Sequence, residues 1–258
     1  MPQKESDKFV PSNIFEGMTS ISALLSSSEA NARRIEEIWI SEEKRSSKAR
    51  EIAFLKAKAK EHGFSISFVP KERIENHTVG NSHGGILAFC SDRQIPSLEA
   101  SDIVEKGFYV YLEGIEDPYN FGYTIRSLYM AGVNGILLPE RNWMSAAGVV
   151  ARASAGTSER MPLYTVSPED AISIFRSKGY RVLCAGIRDS VSLFDTAFSY
   201  PILLVIGGEK RGISRAVLDL ADEIVRIDYG RSFRGSLSSS AAAAVMAFEI
   251  MRQNRHKE

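Results

Sequence analysis

From Gly107 onward the chain alternates short apolar runs with helical stretches, and no other feature limits its fold so strongly. The runs are Phe108–Leu112, Gly135–Leu138, Arg181–Ala185, Pro201–Ile206 and Glu223–Ile227. All are of strand length, and most are apolar nearly throughout. Strands covered on both faces read that way, and their alternation with helices predicts an α/β fold with a mostly parallel sheet and helices on both faces. A long helix over roughly Ser238 to Gln253 closes the chain. In such sheets ligands bind in the loops beyond the carboxyl ends of the strands. Chemistry is therefore expected after Leu112, Ala185, Ile206 and Ile227.

The first third reads as a separate, smaller α/β unit. Ile35–Ile40 is a predicted strand, Ser47–His62 a helix with Gly63 as its stop, and Phe64–Val69 and Gly85–Cys90 two further strands. This gives a loose polar tail at 1–12, a small unit at 13–92, a linker containing Pro96 at 93–106, and a larger unit at 107–258. A length of 258 residues suits two units better than one.

Composition excludes several classes. Thirty-two basic and 32 acidic side chains leave no net charge, so no global positive field marks a nucleic-acid-coating protein. A local basic patch suffices for an enzyme that touches RNA. The two cysteines, Cys90 and Cys184, make neither a disulfide framework nor a zinc site, and a reducing cytoplasm is the expected compartment. The opening residues lack a signal peptide's apolar run, and no stretch reaches membrane-spanning length. His62, His77, His83 and His256 all lie outside the interior of the larger unit, so a hydrolase built on Ser236 lacks a histidine base. No metal is expected, since no cluster has ligand spacing.

The loops themselves are more specific. Asp117-Pro118 favours a turn, and Asn120 is placed to cap the helix that follows. Ile125, Leu128 and Gly132 carry that helix's buried stripe, leaving Arg126 off it, either solvated or reaching back to an anion. Gly207-Gly208-Glu209-Lys210-Arg211-Gly212 is neither a Walker loop nor a dinucleotide turn. Its glycines either let a ligand approach closely or simply connect strand to helix. Arg231 and Arg234 flank Ser236 to Ser240, where they meet phosphate or solvent. The run Ala241 to Ala244 lets another element pack close. In the smaller unit Lys44, Arg45, Lys48, Arg50, Lys56, Lys58 and Lys60 form either a solvated face or an RNA contact, with Lys56 and Lys60 as the candidates.

Three patterns occur in order: Asp117-Pro-x-Asn120-x-Gly122-x-x-x-Arg126, then Gly207-x-Glu209-x-x-Gly212-Ile-Ser, then Ile227 with Ser236-Leu237 before the alanine-rich helix. Together they resemble the signature motifs of SpoU/TrmH-type RNA 2′-O-ribose methyltransferases of the SPOUT superfamily. Phe15-Glu-Gly and His83-Gly-Gly-Ile-Leu-Ala resemble, less specifically, an L30e-like RNA-binding domain. The resemblance implies a trefoil-knotted domain, a homodimer, an rRNA or tRNA substrate, and S-adenosylmethionine as cofactor. It places main-chain cofactor contacts at Gly207, Gly208, Ile227 and Leu237, with Gly186 a further candidate. Asn120, Arg126, Glu209 and Ser236 match active-site positions. Two departures stand out: the usual Ser-Leu-Asn is Ser236-Leu237-Ser238, making Ser238 a substituted catalytic position, and Ile-Pro-Met is Ile227-Asp228-Tyr229. Methyl transfer to a hydroxyl needs in-line geometry and loss of a proton. A guanidinium stays protonated, so Arg126 is expected to bind phosphate and stabilise oxyanion charge rather than act as a base. Rival readings are a non-catalytic RNA-binding relative, a SPOUT enzyme that methylates a base, and, least favoured, a nucleotide-binding oxidoreductase.

Overall fold

The computed structural model describes residues 13–27, 32–78, 83–140, 146–232 and 234–255. The tail at 1–12 and His256 lie outside them. By their contacts the residues fall into two units, 1–94 with 142–160, and 95–141 with 161–258.

The smaller unit is built on β1 (Ile14–Glu16), β2 (Ile35–Ser41), β3 (Ser65–Val69) and β4 (Ile86–Cys90), in the order β1-β4-β2-β3. β4 runs antiparallel to both neighbours, while β2 and β3 are parallel. A parallel pair needs a crossover, here α2 (Ala49–His62). Its Ile52 and Leu55 join Ile38, Ile40 and Ile86 of the strands and Ile21 and Leu24 of α1 (Gly17–Leu25) in one core. Gly63 ends α2 with φ +81°, its N–H donating to the Ala59 carbonyl at 2.9 Å. On the other face Trp39 and Leu87 pack with Ile74 of α3 (Lys71–Glu75). The Gly85 N–H donates to His83 Nδ1 at 3.0 Å and fixes the turn into β4.

The larger unit runs through β5 (Phe108–Glu113), α4 (Pro118–Met130) and β6 (Gly135–Leu138). The chain then leaves it for α5 (Ala147–Ala153), which gives Ala147 and Ala151 to the smaller unit's core. Buried charge holds that excursion: Arg33 Nε lies 3.4 Å from Glu159 Oε2, with side chains 0% and 5% exposed, and Arg93 Nη1 donates to the Ser158 carbonyl at 2.7 Å. A continuous 107–258 unit was the expectation; by contacts, 142–160 stands apart from it.

The chain returns as β7 (Leu163–Thr165), α6 (Pro168–Ser177), β8 (Arg181–Ala185), β9 (Val191–Ser192), β10 (Ile202–Gly207), α7 (Arg215–Asp219), β11 (Glu223–Arg226) and α8 (Ser239–Asn254). The sheet order is β7-β6-β5-β10-β8-β11-β9, and every neighbouring pair is parallel. The expected mostly parallel sheet is thus wholly so. The central strands β5 and β10 are buried over five successive residues each, as two covered faces require. One face packs Tyr109, Tyr111, Leu203 and Val205 against Ala171, Ile172 and Phe175 of α6. α8 packs against β10 and against α4. Among the described residues no helix is long and apolar enough to cross a membrane.

Candidate functional site

Because the strands are parallel and in register, Gly207 lies opposite Glu113 and Val225 opposite Ala185, and their loops emerge at one edge. There they enclose a crevice of about 940 Å³. Gly186, Gly207, Gly208, Ile227 and Leu237 all line it, as do Glu209, Ser236, Ser238 and Arg234. Arg231 is exposed in the same loop and does not line it.

The glycines of this edge have a reason that the sequence did not reveal. A Cβ on Gly208 would strike the Gly114 carbonyl, and one on Gly207 would lie 2.6 Å from the Ile213 nitrogen. One on Gly186 would lie 2.6 Å from Ile224 Cγ2. Their first partner is thus the protein itself: at Gly208 the loops after β5 and β10 cross so closely that only hydrogen fits, while Gly207 lies against its own turn and Gly186 against β11. The turn is closed by the Gly212 N–H, which donates to the Gly208 carbonyl at 3.0 Å.

Hydrogen bonds tie the remaining walls together. Ser239 Oγ donates to the Gly207 carbonyl at 2.8 Å, anchoring the start of α8 beside the loop after β10. The Leu237 N–H donates to the Tyr229 hydroxyl at 3.1 Å. Arg226 Nε pairs with Asp228 Oδ1 at 2.8 Å, and Arg226 Nη1 donates to the Ser190 carbonyl. A hydrogen bond from Ser192, and then Arg226, hold the Asp228 carboxyl below its usual range. Both residues that depart from the Ile-Pro-Met pattern are therefore employed locally. Ser238 is the N-cap of α8, its Oγ accepting the Ala241 N–H at 3.2 Å and lying 3.0 Å from Ser240 Oγ.

At the other rim Asn120 Nδ2 donates to Glu209 Oε1 at 2.9 Å. Asn120 is not the cap of α4, contrary to expectation. Asp117 is, its Oδ1 accepting the Asn120 N–H at 2.8 Å, with Pro118 filling a first-turn position that needs no N–H donor. That leaves the Asn120 amide free to orient Glu209. The Asp-Pro pair carried the signal for this. Arg126 is exposed on α4 and does not line the crevice of its own chain. Tyr119, Tyr123 and Met130, at the same helical spacing, are exposed too. Lys56 and Lys60 are exposed, one turn apart, on α2 of the smaller unit.

Alternative chemistries find little support in the side chains. Burial pushes the thiols of Cys90 and Cys184 up to about 12, so neither is a thiolate nucleophile at neutral pH. Among the described residues no group of three His, Cys, Asp or Glu is placed to hold a metal ion.

A glycine-lined crevice at the carboxyl ends of a parallel sheet, with a carboxamide–carboxylate pair on its rim, defines an α/β ligand-binding site. Family comparison makes the class specific. A model of the SpoU rRNA methylase family matches residues 107–248, more than half the chain, and one of RNA 2′-O ribose methyltransferase substrate binding matches residues 14–96. The chain belongs to the SpoU rRNA methylase family, and is an RNA methyltransferase of the SpoU/TrmH type. A Staphylococcus haemolyticus protein named for the TrmH family of tRNA/rRNA methyltransferases is 30% identical over 229 residues, 86% of this chain and 90% of that one. A 23S rRNA (guanosine-2′-O-)-methyltransferase of Shewanella oneidensis is 26% identical over 248 residues, 94% and 98% of the two chains. An rRNA methyltransferase from Sinorhizobium meliloti, solved with S-adenosylmethionine bound, shares the fold with a TM-score of 0.75 at 24% identity, covering 93% of this chain and 86% of that one.

Proposed function

We propose that this chain transfers a methyl group from S-adenosylmethionine to a ribose 2′-hydroxyl of ribosomal or transfer RNA, working in the cytoplasm as a homodimer. The observation that carries the reading is the Asn120–Glu209 pair, fixed at 2.9 Å on the rim of the crevice.

The crevice suits the donor. Its volume lies in the range of roughly 300–1,000 Å³ typical of small-molecule sites. Ile187, Ile206 and Met246 offer apolar walls for an adenine, glycine backbone offers hydrogen bonds, and the Glu209 and Asp228 carboxylates suit a cationic ligand. The Gly207 and Gly208 carbonyls and the Gly186 and Leu237 N–H groups each already have a partner within the protein, so main-chain contacts to the donor fall to Ile227 and to the other groups of these residues. When bound, the donor supplies a methyl group made electrophilic by its sulfonium. The chain's own part is to hold the acceptor hydroxyl in line with it. Glu209, oriented by Asn120, accepts a hydrogen bond from the ribose, and Ser236 borders the same space. Arg126 neutralises the adjoining phosphate and the charge developing on oxygen.

Arg126 lies on the exposed stripe of Tyr119, Tyr123 and Met130, and α8, which packs beside α4, exposes Phe248. A second copy covers this face, and Arg126 then serves the partner's crevice. Arg234 and Arg231 hold the RNA near the site, while Lys56 and Lys60 hold it at the smaller unit, whose match to a substrate-binding family supports that role.

Two measurements test the reading. Calorimetry of the full chain with S-adenosylmethionine should give saturable binding. Mapping of 2′-O-methyl positions in total RNA, with and without the protein, should reveal sites that depend on it. Binding without any such site favours a base-methylating enzyme when modified bases change instead, and a non-catalytic relative when nothing does.

A further inference from the structure

Two residues of the crevice wall depart from the Ile-Pro-Met pattern, and the structure treats them differently. Asp228 is committed within the protein. Its Oδ1 lies 2.8 Å from Arg226 Nε, and Ser192 of the edge strand β9 donates a hydrogen bond to its carboxyl. Tyr229 keeps a free function. Its hydroxyl accepts the Leu237 N–H at 3.1 Å, which ties the phenol to the segment entering α8. A phenol oxygen also carries a proton to donate, and among the described residues that proton has no acceptor. The ring is exposed, and both Tyr229 and Leu237 line the crevice.

We infer that the Tyr229 hydroxyl donates this proton to the carboxylate of the methyl donor's amino-acid arm. Tyr229 is then a donor-binding residue, with a contact that methionine at the same position does not supply. The inference rests on the reading of the crevice as the S-adenosylmethionine site.

Position suits that arm. β8 stands between β10 and β11, so the loop holding Tyr229 leaves the sheet two strand spacings, roughly 10 Å, from the loop that carries Glu209. The transferred methyl must face the acceptor at Glu209. The amino-acid arm starts from the same sulfur, and its carboxylate lies a few bonds away, free to extend toward Tyr229. The adenine takes the apolar walls of Ile187, Ile206 and Met246.

Charge agrees with position. Arg234 lines the crevice from the same loop and has no ion-pair partner among the described residues, so this wall favours an anion. Asp228, whose charge would oppose one, is neutralised by Arg226. The donor carries ring nitrogens, ribose oxygens and a carboxylate as acceptors, and only the carboxylate is ionised. Hydrogen bonds to an ionised acceptor are the strong ones, and accepting the Leu237 N–H polarises the phenol toward donating. That same bond holds the ring in place beforehand, so binding has less to order.

The test is calorimetry of the full chain with S-adenosylmethionine and with its decarboxylated analogue, in the parent and in Tyr229→Phe. The two ligands share the adenosine, the sulfonium, the methyl and the amino group, so the ratio of their affinities reports the carboxylate. The parent should bind S-adenosylmethionine about tenfold or more tightly than the analogue, the scale of one hydrogen bond to a charged group. In Tyr229→Phe that ratio should fall by about tenfold. The variant also deprives the Leu237 N–H of its acceptor, a loss that weakens both ligands alike and cancels in the ratio. A parent that binds the two equally, or a ratio unchanged in Tyr229→Phe, overturns the proposal and leaves the crevice as the donor site. A parent that binds neither removes the methyltransferase reading and this one with it.

Discussion

The two units of this chain put charge to different uses. In the smaller unit Arg33, Arg93 and Glu159 are buried, and they hold the 146–160 segment into its core. In the larger unit the core is apolar apart from hydroxyls that find partners: Tyr109, Tyr111 and Tyr180 donate to the carbonyls of Asp102, Val166 and Val104. Its charges stay outside that core, and Glu209, Arg226, Asp228 and Arg234 line the crevice at the strand ends. Charge is built into the core of one unit and lines the ligand site of the other, and a mutation should reveal which by what it damages.

The largest effect on stability is expected from Glu159→Ala. Removing one member of a buried ion pair leaves the other desolvated without this partner, at about 3–5 kcal/mol. Calorimetric melting should show that loss while affinity for S-adenosylmethionine stays unchanged. A loss under about 1 kcal/mol, the value of an exposed pair, would erase the contrast between the units.

Arg126→Ala should do the reverse. Methyl incorporation into RNA should fall by about 10²–10³-fold, the scale of a lost oxyanion-stabilising group. Melting should move by no more than about 0.5 kcal/mol, as for a surface substitution. Near-normal turnover would remove Arg126 from the site. Gly208→Ala should stand between these two and fail both assays. The added methyl meets the Gly114 carbonyl, and forced overpacking costs about 1–3 kcal/mol, with the donor crevice distorted as the loops separate.

The same contrast explains what the sequence could tell. The strands of the larger unit were legible because burial on both faces leaves unbroken apolar runs, whereas β7 and β9, of three and two residues at the sheet's edges, carry too few residues to show a pattern. The positions around the crevice were visible as ordered motifs at strand ends. Their reasons were not: nothing local tells that Gly208 faces the Gly114 carbonyl, 94 residues earlier in the chain, or that Tyr229 accepts from Leu237. Long-range packing was hidden for the same cause. α5 joins the smaller unit through Ala147 and Ala151, and Arg33 meets Glu159 a few residues beyond it; a solvated arginine and a buried one look alike in sequence.

Ser238 gives the smallest and most discriminating prediction. Its hydroxyl caps α8 by accepting the Ala241 N–H, a task that serine and asparagine perform about equally well. The departure from Ser-Leu-Asn therefore preserves the helix start, and with it Ser239 on the Gly207 carbonyl. Ser238→Ala should cost about 1 kcal/mol in melting, whereas Ser238→Asn should change it by only a few tenths. If Ser238 acts as a cap alone, methyl transfer by the asparagine variant stays within about threefold of the parent, less than 1 kcal/mol of barrier. A larger fall in rate at unchanged melting would mean that the hydroxyl also touches the acceptor, and one residue of the larger unit would then combine architecture with chemistry.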